Sequence, residues 1–233
     1  MTVGFLSGWL ASLPQEWIAG VDEGVFERAY SAHQSPGRHY HTWEHVLACV
    51  EQLRSTPCDS ARAVFLALVF HDAVYVAGAP DNEAQSARLA RVALSATGSV
   101  DEDELAIIER MILATRNHFA SAAAPSSDEA ALLDIDLSIL GAPRPAYAAY
   151  ARAIHDEWVP AAATEAAFTI GRLEFLRGVI AAPRIYRTPS AQQRWDESAR
   201  ANIAWEISEL TSRQGMMGRA LSAVRSVLPR RGA

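Results

Sequence analysis

Apolar residues return at three- and four-residue spacing through most of the chain, the period of a helix with one buried face. This pattern predicts helices over Val21–His33, Trp43–Leu53, Ala61–Val76, Glu83–Ala96 and Glu102–Arg116. It resumes over Glu129–Leu140, Ala146–Trp158, Glu165–Ala181, Ala191–Leu210 and Met216–Val227. Residues able to accept a free first-turn amide stand near the starts: Thr42, Asp59, Asp81, Asp101, Ser127 and Thr164. Ser35-Pro36-Gly37, Gly78-Ala79-Pro80, Gly141-Ala142-Pro143 and Ala182-Pro183 supply the stops. No run of alternating β-branched residues suggests a strand, and no Ser/Gly-rich or Pro-rich linker divides the chain. The expectation is one all-α domain over 1–233.

Composition narrows the function more than the fold. Half of the 233 residues are hydrophobic and 21% are charged, which excludes a disordered or fibrous chain. No apolar run reaches the roughly 18 residues of a membrane span, so no membrane role is expected. The first residues carry no basic leader, and a cytoplasmic protein is expected. Cys49 and Cys58 are the only cysteines, too few for a disulfide scaffold or a Cys-rich zinc module. All 21 basic residues are Arg. Without lysine there is no Schiff-base nucleophile, no P-loop lysine and no lysine general base. A net charge of −6 with no basic tract speaks against nucleic acid as a partner, and Arg225, Arg230 and Arg231 read as a solvated tail.

The chain lacks a G-x-S-x-G elbow, a G-x-G-x-x-G turn and an H-E-x-x-H pair. Its histidines are unevenly placed, with four between His33 and His45. His71-Asp72 closes an almost wholly apolar stretch, where an imidazole and a carboxylate are costly to bury unless paired or metal-bound. A structural ion pair is the plain reading of that dipeptide. His45 falls in a first helical turn before Val46, Leu47 and Val50, the setting of an ordinary core histidine. Asp134 and Asp136 interrupt the apolar run Leu132–Leu137. Taken together, two imidazoles and two carboxylates form a ligand set suited to Mn²⁺, Fe²⁺, Co²⁺ or Zn²⁺.

The order His45, then His71-Asp72, then a distant Asp resembles the signature of HD-domain metal-dependent phosphohydrolases. The closer resemblance is to the bacterial branch described as predicted metal-dependent HD-superfamily phosphohydrolases. It is carried by R-H-Y-H-T-W-E-H, F-H-D-A-V-Y, N-E-A-Q-S-A, A-T-R-N-H, D-I-D-L-S-I-L-G, I-Y-R-T-P and A-R-A-N-I, from about Arg38 to Asn202. The resemblance implies an HD-domain-like helical bundle, with terminal helices packed on a metal-binding core over about 38–140. It implies one divalent ion (Mn, Fe, Co, Zn or Mg) on His45, His71, Asp72 and Asp136. Asp136 is preferred to Asp134 because the family's last ligand typically precedes Leu. In one respect the chain departs from the pattern. Where some relatives carry an acidic pair after the His-Asp dipeptide, this chain reads Ala73-Val74-Tyr75-Val76.

Phosphoester hydrolysis needs an activated water, neutralised phosphoryl oxygens and a proton for the leaving oxygen. Arg38 and Arg116 are the expected phosphate-binding residues, since a guanidinium fork matches phosphate. Glu83, Asp72 and His118 are the expected catalytic groups, and His41 and Tyr40 are expected at the pocket mouth. His33 and His155 read as structural, and Trp195 and Trp205 as helix packing. The expected function is hydrolysis of a small phosphorylated metabolite or nucleotide. The alternatives are a metal- or nucleotide-binding protein without turnover and a di-iron oxygenase on the same fold.

Overall fold

A computed structural model describes residues 3–96, 98–119 and 126–227, with side chains up to residue 214. Eleven α-helices and no strand occur among the described residues. The all-α expectation therefore holds. The first eight helices are α1 (Val3–Ala11), α2 (Gln15–Ile18), α3 (Glu23–Ala32), α4 (Trp43–Leu53), α5 (Ala61–Phe70), α6 (Asn82–Ser95), α7 (Glu102–Ala114) and α8 (Ser127–Asp136). A 3₁₀ segment, Leu137–Gly141, then leads to α9 (Arg144–Trp158), α10 (Glu165–Ala181) and α11 (Pro189–Val227).

Helix α5 is the axis of the first core. Ala63 through Phe70 are all buried, so no face of this helix meets water. Such a helix is held by surrounding neighbours on every side. Here α2, α3, α4, α6, α7 and α8 all pack against it. A second core joins the 3₁₀ segment to α9, α10 and α11 through Leu140, Tyr147, Leu176, Tyr186 and Trp195. Gly141 permits the close approach there, since a Cβ on it would lie 2.5 Å from the Cβ of Trp195.

Several boundaries differ from the periodic pattern, each for a local reason. Helix α5 stops at Phe70 instead of Val76, because side chains take over its backbone partners. Ser86 pairs with both backbone groups of Val74, and Asn82 does the same for Val76. Ser60 caps α5, one residue after the expected Asp59, and Ser126 caps α8, one residue before the expected Ser127. Asp59 and Ser127 instead bond to each other. Asp101 and Thr164 cap as expected, whereas Thr42 and Asp81 stand at N-caps without accepting an amide. The two C-terminal segments form one 39-residue helix. Gly215 costs such a helix about 1 kcal/mol and does not by itself break it. Helix α1 escaped the pattern because V-G-F-L-S-G-W-L-A is too uniformly apolar to show a period, yet it buries Leu6 and Leu10.

Candidate metal centre

Three helix ends meet beside the first core. The first turn of α4 carries His45, whose amide bonds the Thr42 carbonyl at 3.1 Å. His71 is the C-cap of α5, with Asp72 next to it, and Asp136 is the last residue of α8. His45 Nε2 lies 3.1 Å from His71 Nε2 and 3.0 Å from Asp136 Oδ1. Asp72 Oδ2 is 3.1 Å from His71 Nε2 and 3.7 Å from His45 Nε2, and Asp136 Oδ1 is 3.4 Å from His71 Nε2. One potential ligand atom from each of the four residues falls within 4.8 Å of the others.

This arrangement fits a metal ion. Ligand atoms at about 2.1 Å from a common centre stand roughly 3–3.5 Å apart, close to the spacings found here. His71 Nδ1 bonds the Leu68 carbonyl at 2.8 Å, which directs Nε2 into the cluster. The C-terminal ends of α5 and α8 add partial negative charge, offset in part by the N-terminal end of α4. Two carboxylates and two helix C-termini around facing imidazoles form a site that calls for a cation.

The electrostatics agree. Burial would raise the Asp136 pKa, but His71, His118 and His45 hold it well below the usual carboxylate range. Asp72 is likewise lowered, with burial opposed by the charges of His71 and His41. For His71, burial pulls the pKa down, and Asp72 and Asp136 carry it well above the ordinary imidazole value.

Asp136 also has a second partner. Its Oδ2 receives His118 Nε2 at 2.7 Å, so the carboxylate joins the cluster to His118. Asp134 faces elsewhere. It accepts the amides of Arg187 and Thr188 at 2.6 and 2.7 Å and the Thr188 hydroxyl at 2.7 Å.

Through Asp136 the cluster borders a cavity of about 540 Å³. Asp136, His118, His41, Tyr40 and Glu83 all line it. His41 is stacked on Tyr75 at 3.9 Å and bonded through Nδ1 to Glu157 Oε2 at 2.7 Å. Burial alone would lower the His41 pKa, but Asp72 and Glu157 raise it.

The two expected phosphate arginines are placed differently. Arg38 donates to the carbonyls of His41, Asp72 and Ala73 at 2.8, 2.6 and 2.8 Å. Its guanidinium clamps the turn that carries Asp72 and does not line the cavity. Arg116 is exposed and also lies off the cavity wall. The arginine that does line it is Arg172 of α10, paired with Glu206 at 2.8 and 3.1 Å. His33 is buried and bonded to Ala29 within its own helix end, and His155 sits in an exposed pairing with Asp156 and Glu165.

Glu157 was not anticipated. This buried carboxylate accepts three consecutive amides, of His39, Tyr40 and His41, at 2.9, 2.8 and 2.9 Å. Burial pushes its pKa up, yet the His41 bond and charge and these amides bring it to about 2. Its partners lie more than a hundred residues away in sequence, so no local signal marks it. Arg172 did leave a trace, as a lone cation among apolar residues in T-I-G-R-L-E-F-L.

No family model matches the chain, and no significant match is found to a curated protein or to a solved structure. A His/Asp cluster able to hold a metal ion is compatible with a metal-dependent enzyme. No helix of the described residues is long and apolar enough to cross a membrane.

Proposed function

We propose that the protein is a metal-dependent phosphohydrolase of the HD kind, acting on a small phosphorylated metabolite. The observation that carries this reading is the Asp136 carboxylate, which faces His45 with one oxygen and His118 with the other on the wall of a cavity. His45, His71, Asp72 and Asp136 would hold one divalent ion. Such an ion supplies a water of lowered pKa and neutralises phosphoryl charge.

The chain's own groups have the remaining tasks. In the reaction, a water oxygen attacks phosphorus, the ester P–O bond breaks, and the leaving oxygen takes the bond pair and a proton. His118, kept in place by Asp136, can hold that proton at the cavity wall. Glu83 lines the same cavity and is the carboxylate available to orient or deprotonate the water. It supplies what the sequence lacks at Ala73–Val76. His41, oriented by Glu157 through Nδ1, lines the cavity and can bond a phosphoryl oxygen through its other ring nitrogen.

The test is metal content of the purified chain together with phosphate release from a panel of phosphoesters with Mn²⁺, Mg²⁺, Co²⁺ and Zn²⁺. One ion per chain with phosphate release that Asp136→Asn abolishes supports the reading. Two irons per chain, or bound metal without turnover on any ester, overturns it.

A further inference from the structure

The cavity has far more room than a phosphoryl group needs, and beyond its polar end beside Asp136, His118 and His41 its surface is mostly apolar. At about 540 Å³ it falls within the roughly 300–1,000 Å³ of sites that enclose a drug-sized ligand. Ile154, Trp158, Phe168, Phe175, Leu137 and Ile139 form much of its lining. The one arginine among its described lining residues, Arg172, is already engaged by Glu206 and roofed by Tyr150 and Phe175, at 5.2 and 5.4 Å from their ring centres. A triphosphate chain is held by several cationic or amide donors. A sugar needs hydrogen-bonding partners around its ring. The part of the wall formed by Leu137, Ile139, Ile154, Phe168 and Phe175 offers neither.

Space is also kept open by small residues. Ala163, Ala167 and Gly171 line the cavity along α10 and the turn before it. A Cβ added at Gly171 would meet nothing within 4 Å. Glycine inside a helix costs about 1 kcal/mol relative to alanine, and no backbone strain requires it here. Its presence fits a position where a side chain would occupy ligand volume.

We infer that the substrate is a phosphate monoester of an alcohol with a bulky apolar, ring-bearing body, and that α9 and α10 form the subsite for that body. This rests on the phosphohydrolase reading for the phosphoryl end. The reaction yields that alcohol and inorganic phosphate, with the alcohol oxygen keeping the electron pair of the broken P–O bond.

Two esters of comparable primary alcohols isolate the body from the chemistry: ethyl phosphate and 2-(2-naphthyl)ethyl phosphate, with ATP as a third substrate. For the Mn²⁺-loaded full chain, kcat/KM for the naphthyl ester should exceed that for ethyl phosphate at least tenfold, and ATP should be the poorer substrate. Gly171→Leu and Ala167→Leu, both at exposed helical positions, should each lower the naphthyl-to-ethyl ratio at least tenfold. Equal turnover of the two alkyl esters, a preference for ATP, or a ratio unchanged in both variants overturns the inference. Should no ester be hydrolysed, the phosphohydrolase reading fails, and calorimetry on the metal-free chain judges the subsite separately. There 2-(2-naphthyl)ethylphosphonate should bind at least tenfold more tightly than ethylphosphonate, and Gly171→Leu should remove the difference. Equal binding of the two phosphonates refutes the subsite whatever the enzyme does.

Discussion

Asp134 and Asp136 stand two residues apart at the end of α8 and serve different neighbours. Both oxygens of Asp134 accept from Arg187 and Thr188, whereas those of Asp136 face His45 and His118. Successive helical positions two apart diverge by about 200°, so one helix end can anchor a loop and a metal site at once.

Asp136→Asn is therefore expected to empty the metal site while the helical spectrum survives. Asp134→Asn should keep the metal but place an amide N–H₂ against donors, with a stability loss of about 1–3 kcal/mol. Bound metal by elemental analysis and urea midpoints of both variants decide this. Loss of metal in Asp134→Asn alone would reverse the assignment.

Metal affinity should depend on pH through His71. Its raised folded pKa means that, without metal, it keeps its proton to higher pH than a free imidazole does. The stability from that proton is complete below the unfolded value of about 6.5 and disappears as pH rises through the folded pKa. A cation must displace the proton, so affinity should fall about tenfold per unit below that folded pKa. Chelator competition at several pH values measures this, and a flat profile would contradict it.

His33 behaves in the opposite way. Burial brings its pKa down to about 3, with Nδ1 bonded to Ala29 and Nε2 enclosed without a partner. The unfolded chain takes up a proton near 6.5 that the folded chain refuses, so stability is present above that value and is lost as pH falls. Between pH 7 and 5 the cost is about 2 kcal/mol. Urea midpoints of wild type and His33→Gln at the two pH values give the difference attributable to this side chain. Parallel pH dependence in both proteins would refute it.

Glu157→Ala should cost about 3–5 kcal/mol, because three backbone amides and His41 lose their acceptor in the interior. Glu157→Gln keeps an oxygen for the amides and should cost less, while changing how His41 shares its proton. Thermal unfolding of both variants checks the order. Equal destabilisation would mean that the carboxylate charge, not the amide cradle, holds the loop.

The helical architecture could be read from period and caps because each helix buries a face, which leaves a local imprint. Helix α1 left none, being apolar on every side, and Ser86 and Asn82 end α5 early from positions well down the chain. His45, His71, Asp72 and Asp136 stood out because polar groups inside apolar helices are conspicuous whatever their partners. Arg38 was conspicuous as a cation just upstream of the histidine cluster, but the sequence could not show that carbonyls, and not phosphate, receive its fork. Glu157 and Arg172 depend on long-range packing: one on a loop over a hundred residues away, the other on Glu206 of α11.

The ligands and the cavity wall differ in how freely they can change. Three of the four proposed ligands grow from the ends of α5 and α8, and α5 has no exposed face along Ala63–Phe70. Inserting or deleting one residue there would turn His71 and Asp72 by about 100° and rotate the whole interior with them. Across the cavity, Ala167, Gly171 and Phe175 lie on the solvent side of α10, where replacement disturbs little else. The fold thus locks the His/Asp cluster to its own survival and leaves the facing cavity wall open to drift; on the function proposed above, descendants of this chain could acquire new substrates without rebuilding their chemistry.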